Sequence, residues 1–229
     1  MNALLEFNKV TISPEEYDGG LTDVSFALNP GEMMLVLADT RQVNLPLFDV
    51  AQGLAVPDSG EVLYGGTNWQ AMPPDEQAAR RAGMGRIYGM LFPWLSNLDM
   101  DENITLRVRH ATRRTDEDIY EEARALALEL GLDELPGKRP PHYSREVLKI
   151  SQCVRALLDE PKLLLAESAL HSMHAEAQER FIRILRKRVD AGLALIWLTA
   201  DARERELFGN DAVCFCYEDG MLKEIRSRV

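Results

Sequence analysis

No run in this 229-residue chain is apolar for the roughly 20 residues that a bilayer-spanning helix needs, so the sequence offers no transmembrane segment. Cysteine is scarce. The 3 present (Cys153, Cys214 and Cys216) do not make a disulfide framework and fit a reducing compartment. Cys214 and Cys216 would share one face of a strand, and with too few ligands nearby to hold a metal they read as buried thiols. Positive charge is also short, with 26 Lys and Arg against 37 Asp and Glu and a net charge of -11. That balance excludes a general nucleic-acid binder. The first residues lack the basic start and long apolar core of a secretory leader, which gives the expectation of a cytoplasmic protein. No internal repeat and no low-complexity segment is visible.

What is there is an ordinary globular composition, 46% hydrophobic and 28% charged, on a chain long enough to bury a sizeable core in one or two closely joined domains. Strand patterns at 3–10 and 21–28 are separated by an Asp18-Gly19-Gly20 turn. Further strand patterns stand at 61–66, 84–88, 162–166 and 193–199, and a hairpin at 213–217 and 221–225 turns across Glu218-Asp219-Gly220. Helical patterns stand at 74–82, 101–109, 115–130, 174–190 and 201–208, with another running from a Ser144 cap to about 158. Strands alternating with helices imply an α/β protein with a parallel core sheet, an antiparallel β portion at the N-terminus and a helical insertion in the middle.

The centre of the pattern is residues 33–54. The run 33–37 is apolar throughout, as a central parallel strand is. A loop follows, then a helix that Asn44 would cap with Pro46 in its first turn, ending near Gly53. A phosphate-binding loop here would read G-x-x-x-x-G-K-[ST]. This chain has Ala38 and Val43 at the glycine positions, Asn44 for the lysine and Leu45 for the hydroxyl residue.

The words around that loop resemble the nucleotide-binding subunits of ATP-binding cassette (ABC) transporters. They are Leu21-Thr22-Asp23-Val24-Ser25-Phe26-Ala27-Leu28-Asn29-Pro30-Gly31-Glu32, then Gly53-Leu54-Ala55-Val56-Pro57-Asp58-Ser59-Gly60-Glu61-Val62, then Arg155-Ala156-Leu157-Leu158-Asp159-Glu160-Pro161-Lys162-Leu163-Leu164-Leu165. The resemblance covers 4–225. It implies an ABC-type P-loop NTPase fold: a core formed by 1–90 with 160–229, and a helical subdomain at 91–159. The family's chemical words are altered. The signature Leu-Ser-Gly-Gly-Gln is Tyr143-Ser144-Arg145-Glu146-Val147. Asp-Glu-Pro after the strand at 162–166 is Glu167-Ser168-Ala169, and the switch Thr-His is Thr199-Ala200. The position taken for the family glutamine is Ile87.

The resemblance and these alterations together lead to a set of expectations. Three lost charge-assisted contacts to phosphate cost about 5–9 kcal/mol, or four to six decades of affinity. The first expectation is therefore a pseudo-ATPase, with no enzyme activity, no catalytic residue, no metal and no cofactor. Weak ATP and magnesium binding is left open at the family's nucleotide positions Tyr17, Arg41, Asn44, Ser144 and Glu167. The expected partners are an ABC dimer partner (an intact ATPase or a second copy) and an integral membrane permease, with the chain peripheral at the inner face of the membrane. Ile87, Phe92 and Trp94 are the candidates for the permease groove. The alternatives are an active ATPase using Arg41 and Glu167 in new roles, and a scaffold outside transport. Residues 95–106 faintly resemble ABC proteins that move lipids between bacterial membranes.

Overall fold

The computed structural model describes residues 3–15, 17–39, 44–89, 93–208 and 211–225. Strand β1 (Leu5–Ile12) pairs antiparallel with β2 (Leu21–Leu28) and with β4 (Ser59–Tyr64), which carries the short β5 (Thr67–Asn68). A second sheet is built from β3 (Met33–Leu37), β6 (Met84–Ile87), β7 (Leu163–Glu167), β8 (Ala194–Thr199), β9 (Ala212–Glu218) and β10 (Met221–Glu224). Its order is β10-β9-β3-β8-β7-β6. All neighbours run parallel except the closing β9–β10 hairpin.

The parallel strands are continuous apolar runs because both faces are covered. Met33 and Leu35 join one core with Leu164, Ala166, Leu195 and Trp197, while Met34 and Val36 join another with Leu163, Leu165, Ala194 and Ile196. The first core is closed by α3 (Met100–Ala111), α4 (Asp116–Glu129), α5 (Arg145–Leu157), α6 (Ala175–Asp190) and α7 (Glu204–Phe208). The second is closed by α1 (Leu47–Ala51) and the antiparallel sheet. Helix α2 (Pro74–Ala82) carries proline in its first turn, where no N–H is needed, and leads directly into β6. Gly85 lets α5 lie against β6: a Cβ there would stand 2.3 Å from the Ala156 carbonyl oxygen.

Side chains cap two helix starts, Ser144 as the sequence predicts and Thr115 in addition. Thr115 Oγ1 accepts the Asp118 N–H at 3.1 Å, and Ser144 Oγ accepts the Val147 N–H at 3.3 Å. The helix after β3 differs. Asn44 does not cap it; Pro46 takes the cap position without a side-chain bond, and α1 begins at Leu47. Asn44 is instead tied to the preceding turn, its N–H donating to Asp18 Oδ2 at 2.7 Å while its carbonyl accepts the Asp18 N–H at 2.9 Å.

Phe181 on α6 has no exposed surface. Its ring lies 6.2 Å from that of Trp197, which stands edge-on to Phe208 at 5.0 Å. Phe181→Ala is expected to lower the unfolding free energy by about 3–5 kcal/mol in urea titration, as deletion of a fully packed ring does.

Candidate functional site

Polar side chains meet where the parallel strands end. The pairing of Ile87 with Ala166 sets Arg86 opposite Leu165, so Arg86 and Glu167 project from the same sheet face, the one that α1 covers. Arg86 lies over two rings, its guanidinium carbon 4.4 Å from the Phe48 centroid and 5.0 Å from that of Tyr88. Its Nη2 is 3.8 Å from Asp49 Oδ1 and 4.0 Å from Glu167 Oε2, attractive but beyond hydrogen-bonding reach. The side chain is only 13% exposed, and its Nε and Nη1 are buried with no acceptor. Buried donors without partners are rare, and each costs about 1–3 kcal/mol. Burial lowers the Arg86 pKa, and the nearby Asp49 carboxylate opposes the shift most.

Glu167 closes β7 and faces that cation. Burial raises its pKa, while Arg86, Lys149 and the Gly89 N–H pull the other way. Gly89 lies close against that carboxylate: a Cβ would sit 2.5 Å from Glu167 Oε1, so a larger residue would push the carboxylate aside. From the other side, Lys149 on α5 has no exposed surface. Its Nζ donates to the carbonyls of Tyr88 at 2.6 Å and Gly89 at 2.8 Å. Gln152, one turn on, accepts the Tyr88 N–H at 3.0 Å. The two residues after β6 are thus held both by the helical layer and by Glu167.

Among the described residues singled out in the sequence, only Glu167 stands in this cluster. Tyr17 reaches its edge, the hydroxyl donating to Asp49 Oδ2 at 3.4 Å. Ser144 caps α5. Arg41 and Phe92 lie outside the described residues. Ile87 cannot serve as a groove residue, because it has no exposed surface and packs inside the first core. Trp94 is half-buried beneath the Arg155 guanidinium, 4.4 Å from ring centroid to carbon. Sequence reasoning missed Arg86, Gly89 and Lys149. The available signals were an arginine inside the short strand Met84-Gly85-Arg86-Ile87 and a lysine on the apolar stripe of α5 beside Ile150 and Cys153.

No protein-family model matches the chain. Among curated proteins it is 26% identical over 202 residues to the molybdate/tungstate import ATP-binding protein WtpC of Thermococcus kodakarensis, covering 87% of this chain and 58% of that one. It is 27% identical over 204 residues to the lipoprotein-releasing system ATP-binding protein LolD of Idiomarina loihiensis, covering 85% and 88%. The chain spans about half the length of the first relatives, between 48% and 58%. Among solved structures, an ATP-binding cassette dimer in a post-hydrolysis state with ADP and Pi superposes with a TM-score of 0.85 at 19% identity, over 98% of this chain and 99% of that one. The fold is therefore that of an ABC ATPase cassette, an antiparallel sheet beside a mainly parallel one with helices.

These findings correct two expectations. The chain was expected to have no enzyme activity and no cofactor, because its motif residues are altered. The relatives it matches along most of its length are ATP-binding proteins, and the folds it superposes on are ATP-binding cassettes. Likeness to proteins named as ATP-binding gives no support to inactivity or to the lack of a cofactor, and both expectations are withdrawn. A motif count also could not register Arg86, a cation beside Glu167 that the sheet supplies rather than the loop.

The raised Glu167 pKa fixes a pH dependence. Below the ordinary carboxyl pKa the group is protonated in both folded and unfolded chains and carries no penalty. As pH rises through the raised folded value, stability is lost. Relative to wild type, Glu167→Gln is therefore expected to gain unfolding free energy between pH 4 and pH 7.5 in urea titrations. A constant difference across that range would refute the raised value.

Proposed function

We propose that this chain is the ATP-binding component of a membrane transport complex and hydrolyses ATP at a diverged site around Glu167 and Arg86. The observation that carries this reading is the buried Arg86 guanidinium, with unpaired Nε and Nη1 groups beside a carboxylate at the carboxyl end of a parallel sheet. Ligands of open α/β sheets bind at that end. The residues present fit the nucleotide. Arg86 offers N–H donors and positive charge to phosphate oxygens, and Glu167 offers a carboxylate to a divalent cation. Arg41, which follows β3 in the sequence and lies outside the described residues, is a further candidate cation for the phosphates. A bound nucleotide supplies the phosphoanhydride. The chain's part is to neutralise charge and to hold Glu167 in place through Gly89 and Lys149.

The wider assembly is part of the same proposal. The core of 1–90 with 160–229, the helical part of 91–159, a dimer partner, a membrane permease and a place at the cytoplasmic face of the membrane follow from likeness to ATP-binding cassettes. Among the described residues no helix is long and apolar enough to cross a membrane, so a permease would be a separate segment or chain. The relatives above are named for molybdate/tungstate import in one case and for a lipoprotein-releasing system in the other, so no single cargo comes across from them.

Affinity purification from mild detergent extracts, with co-purifying proteins identified by mass spectrometry, is expected to recover a polytopic membrane protein. With that partner present, magnesium-dependent phosphate release from ATP is expected. Glu167→Gln should lower it by about tenfold or more, the loss of one charge-assisted contact. Absence of nucleotide binding and of turnover in every partner combination would overturn the proposal.

A further inference from the structure

The turn from Tyr17 to Gly20, just before β2, is bound both to Asn44 and to α1. Asp18 and Asn44 hold each other twice. The Asn44 N–H donates to Asp18 Oδ2 at 2.7 Å, and the Asp18 N–H donates to the Asn44 carbonyl at 2.9 Å. The neighbouring Tyr17 hydroxyl donates to Asp49 Oδ2 at 3.4 Å. The other oxygen of Asp49 stands 3.8 Å from Arg86 Nη2. Two successive residues of one turn thus reach the loop end and the cation of the candidate site.

The backbone of the turn is pinned. The Tyr217 hydroxyl on β9 donates to the Gly20 carbonyl at 2.7 Å, and the Thr22 N–H donates to the Gly220 carbonyl at 2.8 Å. Gly19 lies against the same tyrosine: a Cβ there would stand 2.3 Å from its hydroxyl oxygen and 3.4 Å from Leu45 Cδ2. Before the turn, Ser13 donates to Asp58 Oδ2 through its N–H at 2.8 Å and its hydroxyl at 2.6 Å. With the chain held on both sides, the movement that uncovers the Asn44 N–H is rotation of the Asp18 side chain. Asp18 is exposed, so water can take the place of that N–H at the carboxylate.

The position of this bond gives it a meaning. In a phosphate-binding loop the backbone N–H groups meet phosphate oxygens. Asn44 stands at the lysine position of such a loop. The N–H offered to a phosphate is here taken by an anion of the chain itself. Carboxylate and phosphate oxygens are alike as acceptors, since both are anionic and both make charge-assisted bonds. A donor aimed at Asp18 is lost to a phosphate, and the Asp18 charge repels an incoming polyphosphate at short range.

We propose that Asp18 is an internal competitor for the phosphates of a nucleoside triphosphate. Its carboxylate occupies the Asn44 N–H until a phosphate oxygen displaces it, and this exchange sets the nucleotide affinity of the site. The proposal rests on the ATP reading above and assigns Asp18 a role in it that no motif position records.

The test uses the full chain and a fluorescent ATP analogue, mant-ATP, titrated with magnesium present. Asp18→Ala is expected to bind it about threefold to tenfold tighter than wild type, the worth of one exposed charge-assisted bond. Asp18→Asn removes the charge but keeps an acceptor for the Asn44 N–H, and its gain should be smaller. Asp23→Asn, the same loss of charge at an exposed position on β2, should leave affinity near that of wild type. Hydrogen exchange of the Asn44 amide, followed by NMR, should be faster in Asp18→Ala and slow again when mant-ATP is added. Thermal melting checks that each variant is folded, and Asp18→Asn keeps the test decisive if Asp18→Ala is not. Equal affinity of wild type and the Asp18 variants would overturn this proposal alone and leave the ATP reading standing. An equal gain from Asp23→Asn would overturn it in favour of a general charge effect, as would Asn44 exchange unchanged in Asp18→Ala. Absence of nucleotide binding in wild type and variants alike would overturn the ATP reading and this proposal with it.

Discussion

Burial of the parallel sheet on both faces decides where this protein can place charge. Along β3, β7 and β8, side chains alternate between two apolar cores, and an ionised group at most of those positions would be stranded. Only the strand ends are open to polar groups, and there Glu167, Arg86, Asp49 and Lys149 gather. The site is a consequence of the sheet. Strand direction puts the carboxyl ends of β6 and β7 together, and register puts Arg86 and Glu167 on one face.

The cluster also joins layers that pack separately. Lys149 comes from a helix of the first core, Arg86 points into the face covered by α1, and Gly89 lies between them. A fully buried ammonium is tolerated because two carbonyls accept from it at short range and Glu167 lies close enough to favour its charge. Movement of α5 relative to the sheet would have to break those bonds or carry Tyr88 and Gly89 along. A conformational change in the helical layer therefore acts on the loop that donates to Glu167, without any long chain of intermediate contacts.

Much of the fold was legible because local rules and packing agree. The apolar runs at 33–37 and 193–199, the apolar stripe of 115–130 and the cap at Ser144 each point to the element that forms. The start of α1 was misread because Asn44 is a good cap in isolation, yet in the fold its backbone is bound to Asp18. The site was harder to read. Residue-by-residue matching asks whether a lysine or glutamate occupies a given motif position. It does not see an arginine that reaches the same strand ends from β6, or a lysine that enters from α5. Ile87, taken for the family glutamine and for a groove residue, is the last residue of the strand, where its side chain is core, whereas Tyr88 and Gly89 follow the strand.

Arginine suits position 86 for reasons that a lysine could not meet. Burial drives the pKa of any cation down, and a lysine beginning near 10.4 approaches neutrality sooner than a guanidinium that starts above 12. The flat guanidinium also lies over the rings of Phe48 and Tyr88, which replace part of its lost hydration while leaving Nε and Nη1 unpaired. An ammonium would fill neither face and would draw towards one carboxylate. The two rings therefore do for Arg86 what the Tyr88 and Gly89 carbonyls do for Lys149: they hold a charge in place without neutralising it. Positive charge kept in that state, beside a carboxylate, stays available to whatever binds there.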